Sequence, residues 1–254
     1  MKGEFKRVPA LDKGFAVLEL LAGSRKPLGV SDISKALGYH KSTVFNVVYT
    51  LADLGILEHV KDHKFRFGLK LYALGKTAGG VSGWVETVRP YLEEISVKTK
   101  LSVFLGIRSD QRAVIVDKVD TPFDIRIASE TGMRIPLLAG AGGKVLLSQL
   151  PDREIDKILS EQKLRKFTPA SCTNKRQYKE MLKKARDEGF ALDDEEYIEG
   201  IRALAVPLRL NRGHVVAALW IVGLRNQIKD KMIPLYRSLL QEAAERIETR
   251  FSLE

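Results

Sequence analysis

The sequence has little of several features that define other protein classes. Its 254 residues contain one cysteine, Cys172, so an internal disulfide and a cysteine-rich zinc module are both excluded. No stretch approaches the roughly 18 uninterrupted apolar residues of a membrane-spanning helix. Residues 1–22 also lack the apolar segment of a signal peptide. We therefore expect a soluble cytoplasmic protein that holds no metal and no other cofactor.

The motifs of common enzyme classes are absent as well. Residues 137–144 read LLAGAGGK, a glycine-rich stretch of the kind that binds phosphate before a helix. A Walker A loop, however, needs glycine where Leu138 stands and Ser or Thr where Val145 stands. A dinucleotide-binding fingerprint needs its third glycine at Val145, and no GxSxG or HExxH motif occurs. We expect that the protein is not an enzyme.

Positive charge is present but unevenly distributed. The net charge is +10, and residues 1–75 carry 12 Lys and Arg against 7 Asp and Glu. The net positive charge per residue is therefore more than twice as high there as in the remaining chain. This asymmetry favours a polyanionic partner for the N-terminal part, although many basic domains merely have a solvated positive face.

Apolar spacing in the N-terminal part predicts three helices and a hairpin. The helices are expected at residues 11–22, 31–37 and 41–54, and the strands at residues 56–60 and 65–69. Leu11, Phe15 and Leu18 form the predicted apolar stripe of the first helix, together with Leu21. Ser31 is the predicted N-cap of the second helix, which ends at Gly38. This order is typical of a winged helix-turn-helix.

The rest of the chain mixes strands and helices. Residues 76–88 predict a helical connector, and Pro90 is expected in the first turn of a new helix. Beyond it, strands are predicted at 101–107, 113–119, 134–138, 190–193, 203–210 and 215–222, with a turn at 211–213. Helices are predicted at 142–150, 152–161, 177–188 and 230–251. The pattern indicates an α+β domain of the sensor type.

The predicted third helix carries candidate DNA-binding residues on its polar side. In a helix-turn-helix the N-terminal half of this helix reads base edges in the major groove. The candidates are Lys41, Ser42, Thr43, Phe45, Asn46 and Tyr49, with Lys61, Lys64 and Arg66 on the wing. Asn46 can form a bidentate contact to adenine, whereas lysines suit phosphate. The alternative is a three-helix protein-interaction module with the same core. We interpret His59 and His63 as wing surface residues rather than metal ligands.

Three segments make the interpretation more specific. ALDKGFAVLELLA (10–22), GVSDISKALGYHKSTVFNVVYTLADLGILE (29–58) and FRFGLKLYALG (65–75) resemble the IclR family of bacterial regulators. The likeness continues in GMRIPLLAGAGGKVLLSQL (132–150) and GFALDDEEYIEGIRALAVPL (189–208). The resemblance implies an α+β protein with an N-terminal winged helix-turn-helix (1–75) and a linker helix (76–89). A GAF-like α/β domain for effector binding and oligomerisation (90–254) is expected to follow.

Family membership would also imply partners and a pocket. Members act as homodimers or homotetramers that bind palindromic double-stranded DNA operators, as repressors or activators. Carried over by position, the effector pocket would include Ala141, Gly142, Asp193, Ala203, Trp220 and Val222. The family commonly has arginine where this chain has Asn46, so the operator sequence does not transfer. It commonly has cysteine where Ala203 stands and small polar residues where Trp220 and Val222 stand, so we expect a more apolar pocket.

The residues themselves leave alternatives open for this pocket. Backbone N–H groups at Ala141, Gly142 and Gly143 can bind an anion at a helix N-terminus, or these glycines can simply allow close packing. Trp220 can be a core residue, and Asp193 can be solvated within its run of four acids. We expect a DNA-binding transcriptional regulator that responds to a small-molecule effector, an organic acid or related metabolite. The alternative is a sensor that acts through protein–protein contacts without DNA.

Overall fold

The chain forms two compact units, residues 1–83 and 84–254. The computed structural model describes residues 6, 8–24, 26–77, 80–123, 127–210 and 215–252. The turn predicted at 211–213 lies outside the described residues, and the predicted domain limits at 75 and 89 remain predictions. None of the helices within the described ranges is long and apolar enough to cross a membrane.

The N-terminal unit is a winged helix-turn-helix, as predicted. In chain order it contains α1 (Pro9–Ala22), β1 (Leu28–Gly29), α2 (Val30–Leu37), α3 (Lys41–Asp53), β2 (Leu57–Val60), β3 (Lys64–Phe67) and α4 (Leu69–Thr77). The three strands form an antiparallel sheet in the order β1-β3-β2. The core between helices and sheet contains Val17, Leu21, Ile33, Val44, Val48, Leu57 and Phe65, all buried.

The capping prediction for α2 was wrong. The helix begins at Val30, so Ser31 lies inside its first turn. The chain passes directly from β1 into α2, and the Asp32 carboxylate accepts a hydrogen bond from the Gly29 N–H at 3.0 Å. The cap therefore acts from the third helical position back onto the residue before the helix. Gly38 ends α2 as predicted, in the left-handed conformation (φ 70°) that favours glycine.

The apolar stripe predicted for α1 was only partly correct. Val17 and Leu21 are buried, whereas Leu11 and Phe15 are about two-thirds exposed within this chain. Only the C-terminal half of α1 reaches the core. The predicted second wing strand also ends early, at Phe67, because Leu69 begins α4.

The C-terminal unit is built on a six-stranded antiparallel sheet in the order β6-β5-β4-β9-β8-β7. Its strands are β4 (Ser102–Ser109), β5 (Arg112–Val119), β6 (Arg134–Pro136), β7 (Ala191–Asp194), β8 (Ile201–Leu210) and β9 (Val215–Leu224). The helices in this part of the chain are α5 (Gly80–Thr99), α6 (Gly140–Ser148), α7 (Asp152–Glu161), α8 (Lys175–Glu188) and α9 (Ile233–Ser252). A short 3-10 helix, Asp230–Met232, precedes α9.

Helix α5 does not begin at Pro90 as predicted, because it continues through this residue. Proline interrupts a helix by removing one N–H donor and crowding the preceding turn. Here the buried stripe of Trp84, Val88, Leu92 and Ile95 runs past Pro90 without a break. Burial of this stripe against the sheet offsets the lost hydrogen bond.

Strand β9 shows how the sheet separates two cores. Ala217, Leu219 and Ile221 pack in the core with α5 and α9, and the alternate residues Ala218, Trp220 and Val222 pack in the core with α6 and α8. Successive side chains of a strand point to opposite faces, so this alternation requires both faces to be covered. The second core contains the cavity described below.

Candidate DNA-reading face and ligand cavity

Helix α3 presents the predicted polar residues on its outer side. Lys41, Ser42, Phe45 and Asn46 are exposed, while Val44 and Val48 on the opposite side are completely buried. Thr43 and Tyr49 are half-buried. The apolar stripe thus fixes the helix on the core and leaves its N-terminal half open to a partner.

An aromatic cluster supports the exposed face of α3. The rings of Phe45 and Tyr49 stack with centroids 4.1 Å apart, and Tyr49 also contacts His59 and the buried Phe65. His59 lies on β2 and packs 4.5 Å from Phe65 between ring centroids. Tyr49 therefore connects the helix to the wing sheet, and Phe45 is the outermost ring of the cluster.

The wing places its basic residues around a tight turn. Lys61 and Arg66 are exposed and Lys64 is half-buried. Arg66 already forms a 2.5 Å ion pair with Glu58, so its charge is partly compensated within the wing. His63 is exposed as predicted. Within the described residues no group of three or more His, Cys, Asp and Glu side chains could hold a metal ion.

The C-terminal unit contains a cavity of about 110 Å³ between α6 and the sheet. All six residues predicted for the pocket line it: Ala141, Gly142, Asp193, Ala203, Trp220 and Val222. Strand pairing explains why they converge, because Asp193 lies opposite Ala203 and Ala203 lies opposite Val222. Three adjacent strands thus place one residue each on the same row of the sheet. Whether these residues bind an effector stays a prediction.

The first turn of α6 forms one wall of the cavity. The helix begins at Gly140, and its N-cap residue, Ala139, makes no side-chain capping bond. Gly143 packs against the backbone of Leu137, where an added Cβ would lie 2.1 Å from the carbonyl oxygen. The glycine-rich segment packs closely, as the packing interpretation requires, and it also faces the cavity.

Asp193 is buried, which excludes the solvated interpretation for this residue. Its side chain accepts a 2.7 Å hydrogen bond from the Glu196 N–H. Burial raises the pKa of the Asp193 carboxyl to about 6, and the Glu196 N–H and the charge of Lys144 oppose this rise only in part. The carboxylate can therefore gain or lose a proton close to neutral pH.

The other three acids of the run also have defined partners. Asp194 pairs with the buried Arg202, and this hydrogen-bonded partner lowers the pKa of the Asp194 carboxyl. Glu195 accepts from the Gly200 N–H and pairs with Arg225. Glu196 pairs with Lys144, whose side chain is only 3 % exposed.

Sequence reasoning missed several residues of the site. Lys144 donates to the Leu192 carbonyl at 2.8 Å as well as to Glu196, so it connects α6 to the acidic segment. Its partners stand about fifty positions further along the chain, and no local pattern signals them. Further apolar side chains that line the cavity are Phe104, Ile115, Ile127, Met133, Ile135 and Ile198. Phe104, Ile115 and Ile135 lie on strands, where alternation indicates burial but not the side on which a cavity lies, and the other three lie between strands, where no periodic pattern applies.

Comparison with known proteins agrees with both units. A family model described as IclR helix-turn-helix domain matches residues 10–61, and one described as bacterial transcriptional regulator IclR C-terminal matches residues 82–249. The HTH-type transcriptional regulator XynR of Escherichia coli is 30% identical over 237 residues, 93% of this chain and 94% of XynR.

Solved structures share the fold. A crystal structure of an IclR transcriptional regulator from Alicyclobacillus acidocaldarius matches with a TM-score of 0.83 at 24% identity, covering 96% of this chain and 99% of that one. An IclR homologue from Microbacterium hydrocarbonoxydans, complexed with 4-hydroxybenzoate, matches with a TM-score of 0.79 at 24% identity, covering 96% and 100%. Together with the matched models, these findings show that the chain belongs to the IclR family of bacterial transcriptional regulators.

Proposed function

We propose that this regulator binds operator DNA through α3 and the wing, and that a small molecule in the cavity of the C-terminal unit changes its DNA affinity. The observation that carries the proposal is the outer face of α3, where polar side chains are exposed on a helix whose inner side is completely buried. A helix held in this way can enter the major groove without disturbing its own core. The proposed function includes no catalysis.

The residues of α3 and the wing would have different roles. Asn46 would read a base edge, because its amide can donate to and accept from adenine at once. Lys41, Ser42 and Thr43 would contact phosphates or nearby bases, and Phe45 and Tyr49 would add apolar contacts in the groove. Lys61, Lys64 and Arg66 would bind the flanking backbone, with Arg66 weakened by its pairing to Glu58.

The effector would lie in the cavity lined by Ala141, Gly142, Asp193, Ala203, Trp220 and Val222. A concave, largely apolar site with a few convergent polar groups is the usual form of a small-molecule site. A homologue of the same fold has been crystallised with 4-hydroxybenzoate, which supports a small-molecule effector for this chain. We propose a cytoplasmic homo-oligomer, since two helix-turn-helix units on one duplex would match a palindromic operator.

Selection of bound duplexes from a random-sequence pool tests this function directly. The full-length protein should enrich an inverted repeat, and its affinity for that repeat should fall steeply with salt, because binding releases counterions from the phosphates. The Asn46→Ala protein should lose the preference at one base position of each half-site while keeping the salt dependence. A protein that enriches no sequence and shows no salt-dependent DNA affinity would contradict the proposal.

A further inference from the structure

Trp220 forms a fixed wall of the cavity. Its ring lies over Gly106 of β4, where an added Cβ would come within 2.4 Å of the indole Cη2 atom. On the other side it lies against Gly142, where an added Cβ would lie 3.2 Å from Cε3. Phe104 meets the ring edge-on with centroids 5.7 Å apart. Two glycines and a phenylalanine thus hold the indole in one place.

This wall limits the size and polarity of a ligand. The remaining space of about 110 Å³ is of the order that holds one six-membered ring, since an apolar cavity of about 150 Å³ admits benzene. Within the part of the chain that the structure describes, the polar side chains that line the cavity besides the indole of Trp220 are Ser129, Asp193 and Tyr197. A flat, largely apolar ring is the shape that fits.

Charge at the cavity disfavours a ligand carboxylate. Among the described lining residues Asp193 is charged, and none is a cation. Lys144, whose charge acts on Asp193, is already engaged by Glu196 and by the Leu192 carbonyl. Asp193 Oδ2 lies 3.4 Å from where a Cβ of Gly140 would stand, so a carboxylate already occupies the vicinity of the α6 N-terminus. A second carboxylate there would be repelled unless the pair shared a proton.

We propose that the effector of this chain is a compact, uncharged ring compound that packs against Trp220 and donates a hydrogen bond to Asp193. A hydroxyl, amide or similar donor would satisfy the buried carboxylate, because a charged acceptor strengthens the hydrogen bond. This inference rests on the proposed function and departs from the sequence-based expectation of an organic acid or related metabolite, because it favours an uncharged donor over a carboxylate. Asp193 would then be the residue that makes the cavity prefer hydrogen-bond donors to carboxylic acids.

The inference predicts opposite pH dependences for donors and acids. An uncharged donor binds the ionised Asp193, so its affinity should be constant above pH 7 and fall as the carboxyl protonates near pH 6. A carboxylate ligand must share a proton with Asp193, so its affinity should rise as the pH falls over the same interval. The charged groups that act on the Asp193 carboxyl are Lys144 on α6 and Glu196 in the acidic segment, and its own charge in turn acts on the Tyr178 hydroxyl. Burial raises the pKa of the Tyr178 hydroxyl, which stays neutral throughout this range.

Fluorescence of Trp220 provides the test. The chain has two tryptophans, so Trp84→Phe leaves Trp220 as the single indole reporter. Calorimetry on the unchanged protein checks that the Trp84→Phe substitution does not itself alter ligand affinity. Benzamide and benzoate form an isosteric pair that differs in charge and donor capacity, and phenol is a smaller donor. At pH 7.5 benzamide and phenol should quench Trp220 saturably, and benzoate should bind at least about tenfold more weakly.

Asp193→Asn should reverse this preference. The variant should bind phenol more weakly and benzoate more tightly, because the substitution removes both the charged acceptor and the repulsion between carboxylates. Glu199→Gln is the matched control, since it removes one negative charge from the same segment at an exposed residue that does not line the cavity. It should leave all three affinities unchanged.

Three results would overturn the inference. The first is equal affinity for benzamide and benzoate at pH 7.5. The second is a change of both affinities in the same direction in Asp193→Asn, and the third is no binding of any probe. DNA binding by the same preparations distinguishes the two proposals. If the protein shifts its selected duplex but ignores the ring donors, the ligand class is wrong and the regulator function stands. If it shifts no duplex, the proposed function itself fails.

Discussion

Helices α3 and α6 are built in opposite ways. Helix α3 buries Val44 and Val48 and exposes the residues proposed to meet DNA. Helix α6 buries every residue from Ala141 to Ser148, including a lysine and a serine. A helix with one free side can change its outer residues without changing its packing. A helix enclosed on all sides cannot change a residue without changing its packing. Its sequence is therefore constrained by its neighbours as well as by any ligand.

The two helices should therefore respond differently to substitution. Changes on α6 should lower the free energy of unfolding, and changes on the outer side of α3 should alter DNA binding while leaving stability intact. Substitutions at Lys144, Gly143, Asn46 and Lys64 test this difference.

Lys144→Met should cause the largest loss. It leaves Glu196 without its cation in a mostly buried position, and breaking such a pair costs about 3 kcal/mol or more. Urea denaturation of the full chain measures the change. Lys157→Met is the control, because its pair with Glu161 is 3.9 Å long and exposed, and it should cost under about 1 kcal/mol. Equal losses of unfolding free energy in the two variants would show that the buried pair contributes no more to stability than the exposed pair.

Gly143→Ala should destabilise the protein by about 1–3 kcal/mol, because its methyl group would overlap the Leu137 backbone. A backbone carbonyl cannot move aside as a flexible side chain can. Gly14→Ala provides the contrast, since no atom lies within 4 Å of an added Cβ there and alanine favours the helix. That substitution should raise stability by up to about 1 kcal/mol. A neutral Gly143→Ala would mean that α6 has more room than its burial indicates.

Asn46→Ala should leave the unfolding free energy within about 0.5 kcal/mol of the parent, because the side chain is exposed on the outer face of α3. Its affinity for the selected duplex should fall by about 1–3 kcal/mol, the usual contribution of a bidentate base contact. Fluorescence anisotropy at fixed salt measures the loss. An unchanged affinity would exclude Asn46 from base reading.

Lys64→Ala should have the smallest effect. A phosphate contact adds affinity for every sequence, so its removal should weaken all duplexes similarly and lower the slope of log affinity against log salt by about 1. Titrations at several salt concentrations, on selected and on random duplexes, measure both quantities. A loss confined to the selected sequence would instead assign Lys64 to base recognition.

The sequence predicted much of the secondary structure of both units. Helix α7 was predicted with its observed limits, and α3 with one residue too many. Such helices are defined by local apolar spacing and by flanking residues, so local patterns suffice. The resemblance to a known family then supplied the six pocket residues, which spacing alone would not have brought together.

The errors share a physical cause. Leu11 and Phe15 fit a helical apolar stripe, yet the described core of the unit does not cover them. Pro90 lies inside a helix because burial of the helix's own apolar stripe against the sheet outweighs the cost of the proline. The burial of Lys144 depends on Glu196, 52 positions away. Periodicity reveals which side chains can share a face, but tertiary neighbours decide which face is covered.

We propose that the cavity and the α3 face are energetically coupled. Calorimetric titration of the ring donor that quenches Trp220, with and without saturating selected duplex, tests it most directly. Binding of the duplex should change the donor's affinity by the same factor by which the donor changes the duplex affinity, typically about 5- to 150-fold. Equal donor affinity in the presence and absence of the duplex would contradict it.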